Sequence, residues 1–159
     1  MLCTFICKPF ATLSTLELHG LIWLREMVFV VGQKITAESE VDAEDPACAH
    51  MLGRDQTGRL VATARLRLDR LPVKAGRIAV HPDCQRRGIG RGLMAAIDSE
   101  LAGRPAELHA QAHLEGWYAG LGWRREGANF VEAGIEHVRM VRGGDRATSD
   151  PLDVFVASV

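Results

Sequence analysis

The segment from Gly76 to Leu101, GRIAVHPDCQRRGIGRGLMAAIDSEL, constrains the fold more than any other part of the chain. An apolar run, GRIAV, passes through a proline into CQRRGIGRGL, which holds three arginines and three glycines. The chain continues as LMAAIDSEL, apolar at helical spacing and closed by Gly103 before Pro105. A strand, a glycine-rich turn and a helix in this order belong to an α/β chain. Glycines let a ligand approach the backbone closely. The first turn of a helix presents unpaired N–H groups and a partial positive charge. The turn therefore predicts an anion site built on the successive amides of Arg86, Arg87, Gly88, Ile89, Gly90 and Arg91, with arginine side chains adding screened attraction. The competing reading is a glycine-rich turn with solvated arginines.

Two phosphate motifs are excluded. A P-loop needs GxxxxGK[ST], and no lysine or hydroxyl stands at those offsets. A dinucleotide fingerprint needs GxGxxG, and Leu93 occupies its third glycine position. What remains is QxxGxG, from Gln85 to Gly90, between a strand and a helix.

The rest of the chain supplies a sheet. TFICK reads as a first strand, and Ser14 with Glu17 forms a capping box opening a helix from about Thr15 to about Val30. TAESEVDAEDPA is an acid-rich loop. CAHMLGR and RLVATARLRL flank the turn chemistry of DQTG as a hairpin, with Arg65 and Arg67 on one face of the second arm. After the glycine-arginine helix come a strand, AELHAQA, and a short helix, LEGWYAGLG, closed by glycine. WRREGANFV, the turn EAG, and IEHVRMVR form a terminal hairpin. Hairpins and crossovers are mixed, which predicts an α/β fold with a mixed, mostly antiparallel sheet flanked by helices. The 159 residues suit one domain, over 1–142, with a tail over 143–159 whose apolar end leaves an added strand or a homodimer open.

A net charge of -1 gives no overall pull toward nucleic acid or an anionic membrane, so neither is an expected partner. No apolar run reaches the ~18–20 residues of a membrane span, and the N-terminus lacks the layout of a signal peptide. The four cysteines show no CxxC spacing, so free thiols in a reducing cytoplasm are expected, and no metal.

The stretch IAVHPDCQRRGIGRGLM closely resembles the acyl-CoA pyrophosphate loop of the GCN5-related N-acetyltransferases (GNAT). There a strand ending in V-x-P leads into [QR]-x-x-G-x-[GA]. QAHLEGWYAGLGW is similar to the second signature of that family. VFVVGQ, EVDAEDPACAHML, LVATARL and GIEHVRMVR extend the likeness to its ElaA-like branch, over residues 20 to 142. One departure stands out: the branch carries a glutamate in VFVVEQ, where this chain has Gly32.

The resemblance implies a sheet splayed in the middle, acetyl-CoA as cosubstrate, and direct acetyl transfer to a small-molecule or peptide amine in a ternary complex without a metal. It implies that Ile78, Ala79 and Val80 hydrogen-bond the pantetheine, with an N–H near Val80 as oxyanion donor. Gln85 to Arg91 hold the pyrophosphate, and Gln111 stands where relatives contact the cofactor. Within the motif Tyr118, the single tyrosine, protonates or hydrogen-bonds the departing sulfur; spacing alone favours an amphipathic helix-surface residue instead. For the base, His81, His113, His50 and His137 are candidates. His50 and His137 rank first as acceptor-pocket residues, because their segments are shared with the branch, and deprotonation through water is an equal alternative. Glu40 and Asp42, in the acid loop with Glu38, Glu44 and Asp45, either attract a cationic amine or form a solvated loop. With Gly32 in place of the glutamate, the rival to an enzyme is a non-catalytic acyl-CoA-binding or sensing module; a plain interaction protein is the third reading.

Overall fold

A computed structural model of the chain describes residues 2–144. Eight strands form one sheet in the order β1-β2-β3-β4-β5-β8-β6, with β7 pairing β8. They are β1 (Thr4–Pro9), β2 (Ala49–Arg54), β3 (Leu60–Arg67), β4 (Val73–Val80), β5 (Ala106–Gln111), β6 (Arg124–Arg125), β7 (Phe130–Glu132) and β8 (Ile135–Arg142). The helices are α1 (Thr15–Arg25), α2 (Ile89–Leu101) and α3 (Glu115–Gly120). Among the described residues only β4 and β5 run parallel, and every other pairing is antiparallel. The expected mixed, mostly antiparallel sheet is thus present. The apolar end of the tail, expected to add a strand or a homodimer contact, lies outside the described residues. No helix among the described residues is long and apolar enough to cross a membrane.

Local chemistry explains the ends of these elements. Ser14 Oγ accepts the Glu17 N–H at 3.0 Å while Glu17 Oε2 accepts the Ser14 N–H at 2.9 Å, so the capping box opens α1 as expected. The turn between β2 and β3 is tied by Asp55, whose Oδ1 accepts from Thr57 and Arg59. Ala133 and Gly134 both adopt positive φ, 52° and 74°, which gives the two-residue β7–β8 turn the twist of a hairpin.

Three spans differ from expectation. The helix read through to Val30 ends at Arg25 and widens into a π-helical segment, Glu26–Gly32, whose β-branched and aromatic run crowds an α-turn. β4 begins at Val73, three residues before the expected start. The first arm of the terminal hairpin breaks into β6 and β7 around Gly127, which has a φ of 91°.

Helices cover both faces. On one, Ile89, Leu93, Met94 and Ile97 of α2, with Tyr118 of α3 and Trp123 just after it, pack on Val61, Ala64, Leu66, Ala75, Leu108 and Met140. On the other, Leu24 and Val28 cover Leu60 and Ala79. The change of face along β4 comes from a bulge. Thr63 pairs Ala79 and Arg65 pairs Gly76, so β4 carries one extra residue, and Arg77 within it has a φ of 48°. Ala75 and Ile78 consequently share the α2 face, which simple alternation would not allow.

Candidate active site

β4 and β5 are hydrogen-bonded partners only at their starts, Val73 with Ala106 and Lys74 with Glu107. Beyond that rung they part, and the bulge at Arg77 falls on the diverging arm. The opening is a through-sheet slot. A cavity of about 830 Å³ runs from the glycine-arginine turn, past β4 and Tyr118, to the acid-rich loop and the β7–β8 turn.

At one mouth lies the turn itself. Arg86 and Gly88 both have left-handed φ, 62° and 80°, a backbone that turns successive N–H groups to one side. The first intrahelical bond runs from the Gly92 N–H to the Gly88 carbonyl at 3.1 Å. The amides of Gly88, Ile89, Gly90 and Arg91 therefore have no intrahelical partner, and no acidic side chain stands in the first turn to compete for them. A Cβ on Gly88 would meet nothing within 4 Å, so the space over the amides is open. A Cβ on Gly90 would sit 3.3 Å from the Trp117 ring, so this glycine also lets α2 pack on α3. Gln85 braces the turn by donating from Nε2 to the Val80 carbonyl at 3.1 Å. Gln85, Arg86 and Arg91 line the slot; Arg87 is exposed outside its lining, and Ile89 buries its side chain in the core. Open amides without an acid fit a phosphate group.

Ile78, Ala79 and Val80 line the diverging β4 arm. Tyr118 lines the slot from α3, 6% exposed, with its ring edge-on to Trp117. Burial pushes its phenol up to about 12. No hydrogen bond engages its hydroxyl among the described residues. Gln111 lines the slot too, but its amide is exchanged with that of Gln33 in two hydrogen bonds.

The acid-rich loop is not a solvated loop. It docks on β3 and β4 through arginines. Arg65 Nη1 donates to Asp42 Oδ1 at 2.8 Å and Asp45 Oδ1 at 3.1 Å, and Arg77 Nη2 reaches Asp42 Oδ2 at 3.5 Å. Desolvation raises the Asp42 carboxyl, but the Arg65 hydrogen bond, the Glu44 N–H and the nearby arginine charges outweigh it and hold it at about 2. Asp42 is thus an anchor neutralised by arginine, a correction to its reading as free negative charge for an amine. Glu40 lines the slot but is 5% exposed. Its Oε2 lies 3.5 Å from Arg77 Nε without forming a hydrogen bond, and burial, the largest effect, pushes its carboxyl up.

His50 corrects a second expectation: it is no pocket residue. It is fully buried, with Nε2 3.0 Å from the Asp45 carbonyl and Nδ1 3.4 Å from Arg25 Nη2. The carbonyl fixes the proton on Nε2, so the ring accepts from Arg25 and is neutral, and burial lowers its pKa. It shores up Arg25, itself fully buried and donating to both Asp45 oxygens at 3.0 Å. His81 lies away from the slot lining, bonded to Arg59. His137 and His113 line the slot; His137 Nδ1 donates to the Ile135 carbonyl at 2.7 Å.

Three slot residues, Arg77, His109 and Glu132, are not singled out in the sequence, and Gln33 stands there only within VFVVGQ, with no role of its own. The two-residue period of β5, which sends Leu108 and Ala110 to the core, could have placed His109 and Gln111 together on the opposite face. Cys84 is buried in the core, away from the slot lining. Among the described residues no group of three or more His, Cys, Asp or Glu side chains is arranged to hold a metal.

A splayed sheet with a helix-N-terminal amide nest at its mouth defines a class of acyl-CoA-using transferases, and the chain belongs to it: residues 31–142 match the acetyltransferase (GNAT) domain. Proteins of that class use an acyl-CoA cosubstrate. More particularly, the chain is similar to Escherichia coli ElaA, at 30% identity, a TM-score of 0.78, and coverage of 89% of this chain and 99% of that one. It is similar to an acyl-CoA N-acyltransferase from Pseudomonas aeruginosa, at 32% identity and a TM-score of 0.79, over 89% of this chain and 100% of that one. A UPF0039 protein of Schizosaccharomyces pombe is 36% identical over 142 residues, 86% of this chain and 94% of its own.

Proposed function

We propose that the chain moves an acetyl group from acetyl-CoA to a primary amine by direct transfer in a ternary complex. The observation that carries this reading is the slot itself, which opens on the amide nest at one end and on a chamber of charged and imidazole side chains at the other, with the free Tyr118 hydroxyl on its wall. Two substrates entering from opposite mouths would meet where β4 and β5 part, which supplies the proximity that acyl transfer needs.

In this reading the amides of Gly88 to Arg91 hold the pyrophosphate of acetyl-CoA, and the edge of β4 over Ile78, Ala79 and Val80 receives the pantetheine as an added strand. An N–H near Val80 polarises the acyl carbonyl. Bound acetyl-CoA supplies an activated acyl group on a good leaving group. Tyr118, its phenol at about 12, lies well above the ~8.5 of an ordinary thiol. It therefore holds a departing sulfur by donating a hydrogen bond and does not surrender its proton outright. A thiol-release assay over a panel of amines, run beside an acetyl-CoA binding titration, tests the reading. Binding with amine-dependent release is expected.

One observation favours a second reading, a non-catalytic acyl-CoA-binding module. Gly32 places no carboxylate at the end of the π-helical segment, and a Cβ there would lie 3.2 Å from the Met27 carbonyl. Binding without release on any amine supports that module.

A further inference from the structure

Lys74 and Glu107 form the last paired rung of β4 and β5. Continuing that parallel register by two residues sets Gly76 opposite His109, the first positions past the fork on the α1 side. A Cβ on Gly76 would meet nothing within 4 Å. His109 therefore borders open space where the two strands part, and its imidazole lines the slot. The ring is held from behind. Nδ1 lies 3.0 Å from Glu132 Oε1 on β7, and Phe130 meets the ring edge-on at 4.9 Å between centroids. A carboxylate oxygen only accepts, so Nδ1 carries the proton and Nε2 keeps its lone pair. Among the described residues no protein atom partners Nε2.

We propose that His109, oriented by Glu132, takes the proton from the acceptor, and that the acceptors are aliphatic amines, which arrive as ammonium ions. The assignment rests on the acyl-transfer reading above. His109 Nε2 accepts one ammonium proton. The freed nitrogen lone pair attacks the thioester carbonyl carbon, the C–N bond forms, and the C–S bond breaks with its electron pair leaving on sulfur. The second surplus proton on nitrogen ends on that sulfur, giving amide and thiol, and His109 returns its proton to solvent. Imidazole is suited to this exchange near neutrality.

Charged groups face His109 from every element packed against it. Glu132 is its direct partner and also lies 3.9 Å from His137 Nε2. Arg139, its register partner on β8, is tied to Glu107 and Glu126. Glu107, on the same face of β5, also takes Arg70. Across the fork stand Lys74 and the Arg77–Glu40 pair. Glu132 is the positioning residue: it fixes the tautomer and the orientation of the ring.

His109→Gln tests this in the intact chain, with acetyl-CoA affinity and a thermal melt as controls. With a primary alkyl amine at neutral pH, kcat/KM is expected to fall about 10²-fold, and the deficit to shrink as pH rises and free amine accumulates. Hydroxylamine, neutral at pH 7, is expected to be spared. Glu132→Ala frees the ring, so kcat is expected to fall while acceptor KM and acetyl-CoA affinity hold, and Glu132→Asp to restore part of the loss, a pattern that a merely structural role would not produce. An unchanged His109→Gln enzyme, an equal loss on hydroxylamine, or a pH-dependent loss in Glu40→Gln alone overturns the assignment. A wild type that binds acetyl-CoA yet releases no thiol with any amine overturns the acyl-transfer reading itself, and this assignment with it.

Discussion

The side-chain amides of Gln33 and Gln111 bond each other twice, Nε2 of each donating to Oε1 of the other at 3.2 and 2.8 Å, although the residues stand 78 positions apart. The pair ties the end of the π-helical segment to the C-terminal end of β5, and both residues line the slot. A net contribution of about 0.5–1.5 kcal/mol is ordinary for such bonds. A double-mutant cycle of Gln33→Leu and Gln111→Leu, read by urea denaturation, is expected to return a coupling of about 1 kcal/mol. Strict additivity would mean that the two amides do not meet in solution.

The two glycines of the turn separate by experiment. Gly88 needs its left-handed backbone and has open space above it, whereas Gly90 is pressed against Trp117. Gly88→Val is expected to weaken acetyl-CoA binding by about tenfold or more, or roughly 1.4 kcal/mol. Arg86→Ala, which removes an exposed charge, is expected to cost several times less and to act mainly at low salt. Gly90→Val should lower the melting temperature as well as the affinity. Calorimetric titration checks the ranking, and a larger loss from Arg86→Ala would assign the anion to side-chain charge.

Tyr118→Phe keeps the buried ring and its contact with Trp117 and removes only the hydroxyl. A loss of about tenfold in kcat, at the low end of general-acid effects or below it, is expected because a thiolate leaves readily. Acetyl-CoA affinity should hold. Equal turnover by the two proteins would remove the hydroxyl from the chemistry.

Arg25 is fully buried and donates to both oxygens of Asp45. Asp45→Leu leaves that guanidinium without its anion, and breaking a buried pair this way costs about 3–5 kcal/mol. His50 belongs to the same support, so His50→Gln should destabilise the fold without moving the acceptor KM. The folded His50 pKa is lowered from 6.5. The stability it confers is therefore present above that value and lost as pH falls below it, a trend the variant should lack.

Glu40 and Asp42 give opposite pH signatures from one loop. The Asp42 carboxyl is depressed from 3.8 to about 2, so its contribution is present above 3.8 and lost as pH falls toward about 2. The Glu40 carboxyl is raised from 4.5, so its contribution is present below 4.5 and lost as pH rises through its folded value. Asp42→Asn should flatten the acid limb of a stability–pH curve, and Glu40→Gln should remove the decline above 4.5. Chemical denaturation from pH 2 to 8 distinguishes the two.

Much of the fold was legible because its signals are local. The capping box at Ser14, the hairpin turn at Asp55 and the alternation along β3 each concern residues within a few positions of one another, and they stand as read. The π-helical turn after Arg25 and the break between β6 and β7 were not legible, since helical spacing persists to Val30 and tertiary packing decides where the backbone widens or bulges. His50 misled because its segment matches a family pattern whether it lines a pocket or supports a buried arginine.

The sequence alone determined that an amide nest would stand at the start of α2 and that one tyrosine would follow it on a short helix, because glycine spacing and helix geometry act over a few residues. Tertiary structure alone decided what surrounds those groups. The fork between β4 and β5 depends on a bulge and on pairing between strands some 30 residues apart. The docking of Asp42 on Arg65, the exchange of Gln33 with Gln111, and the seating of His109 against Glu132 are contacts through space. Their partners are chosen by how the sheet is assembled, and charge or amide chemistry in the linear chain does not specify which of many counterparts will be met.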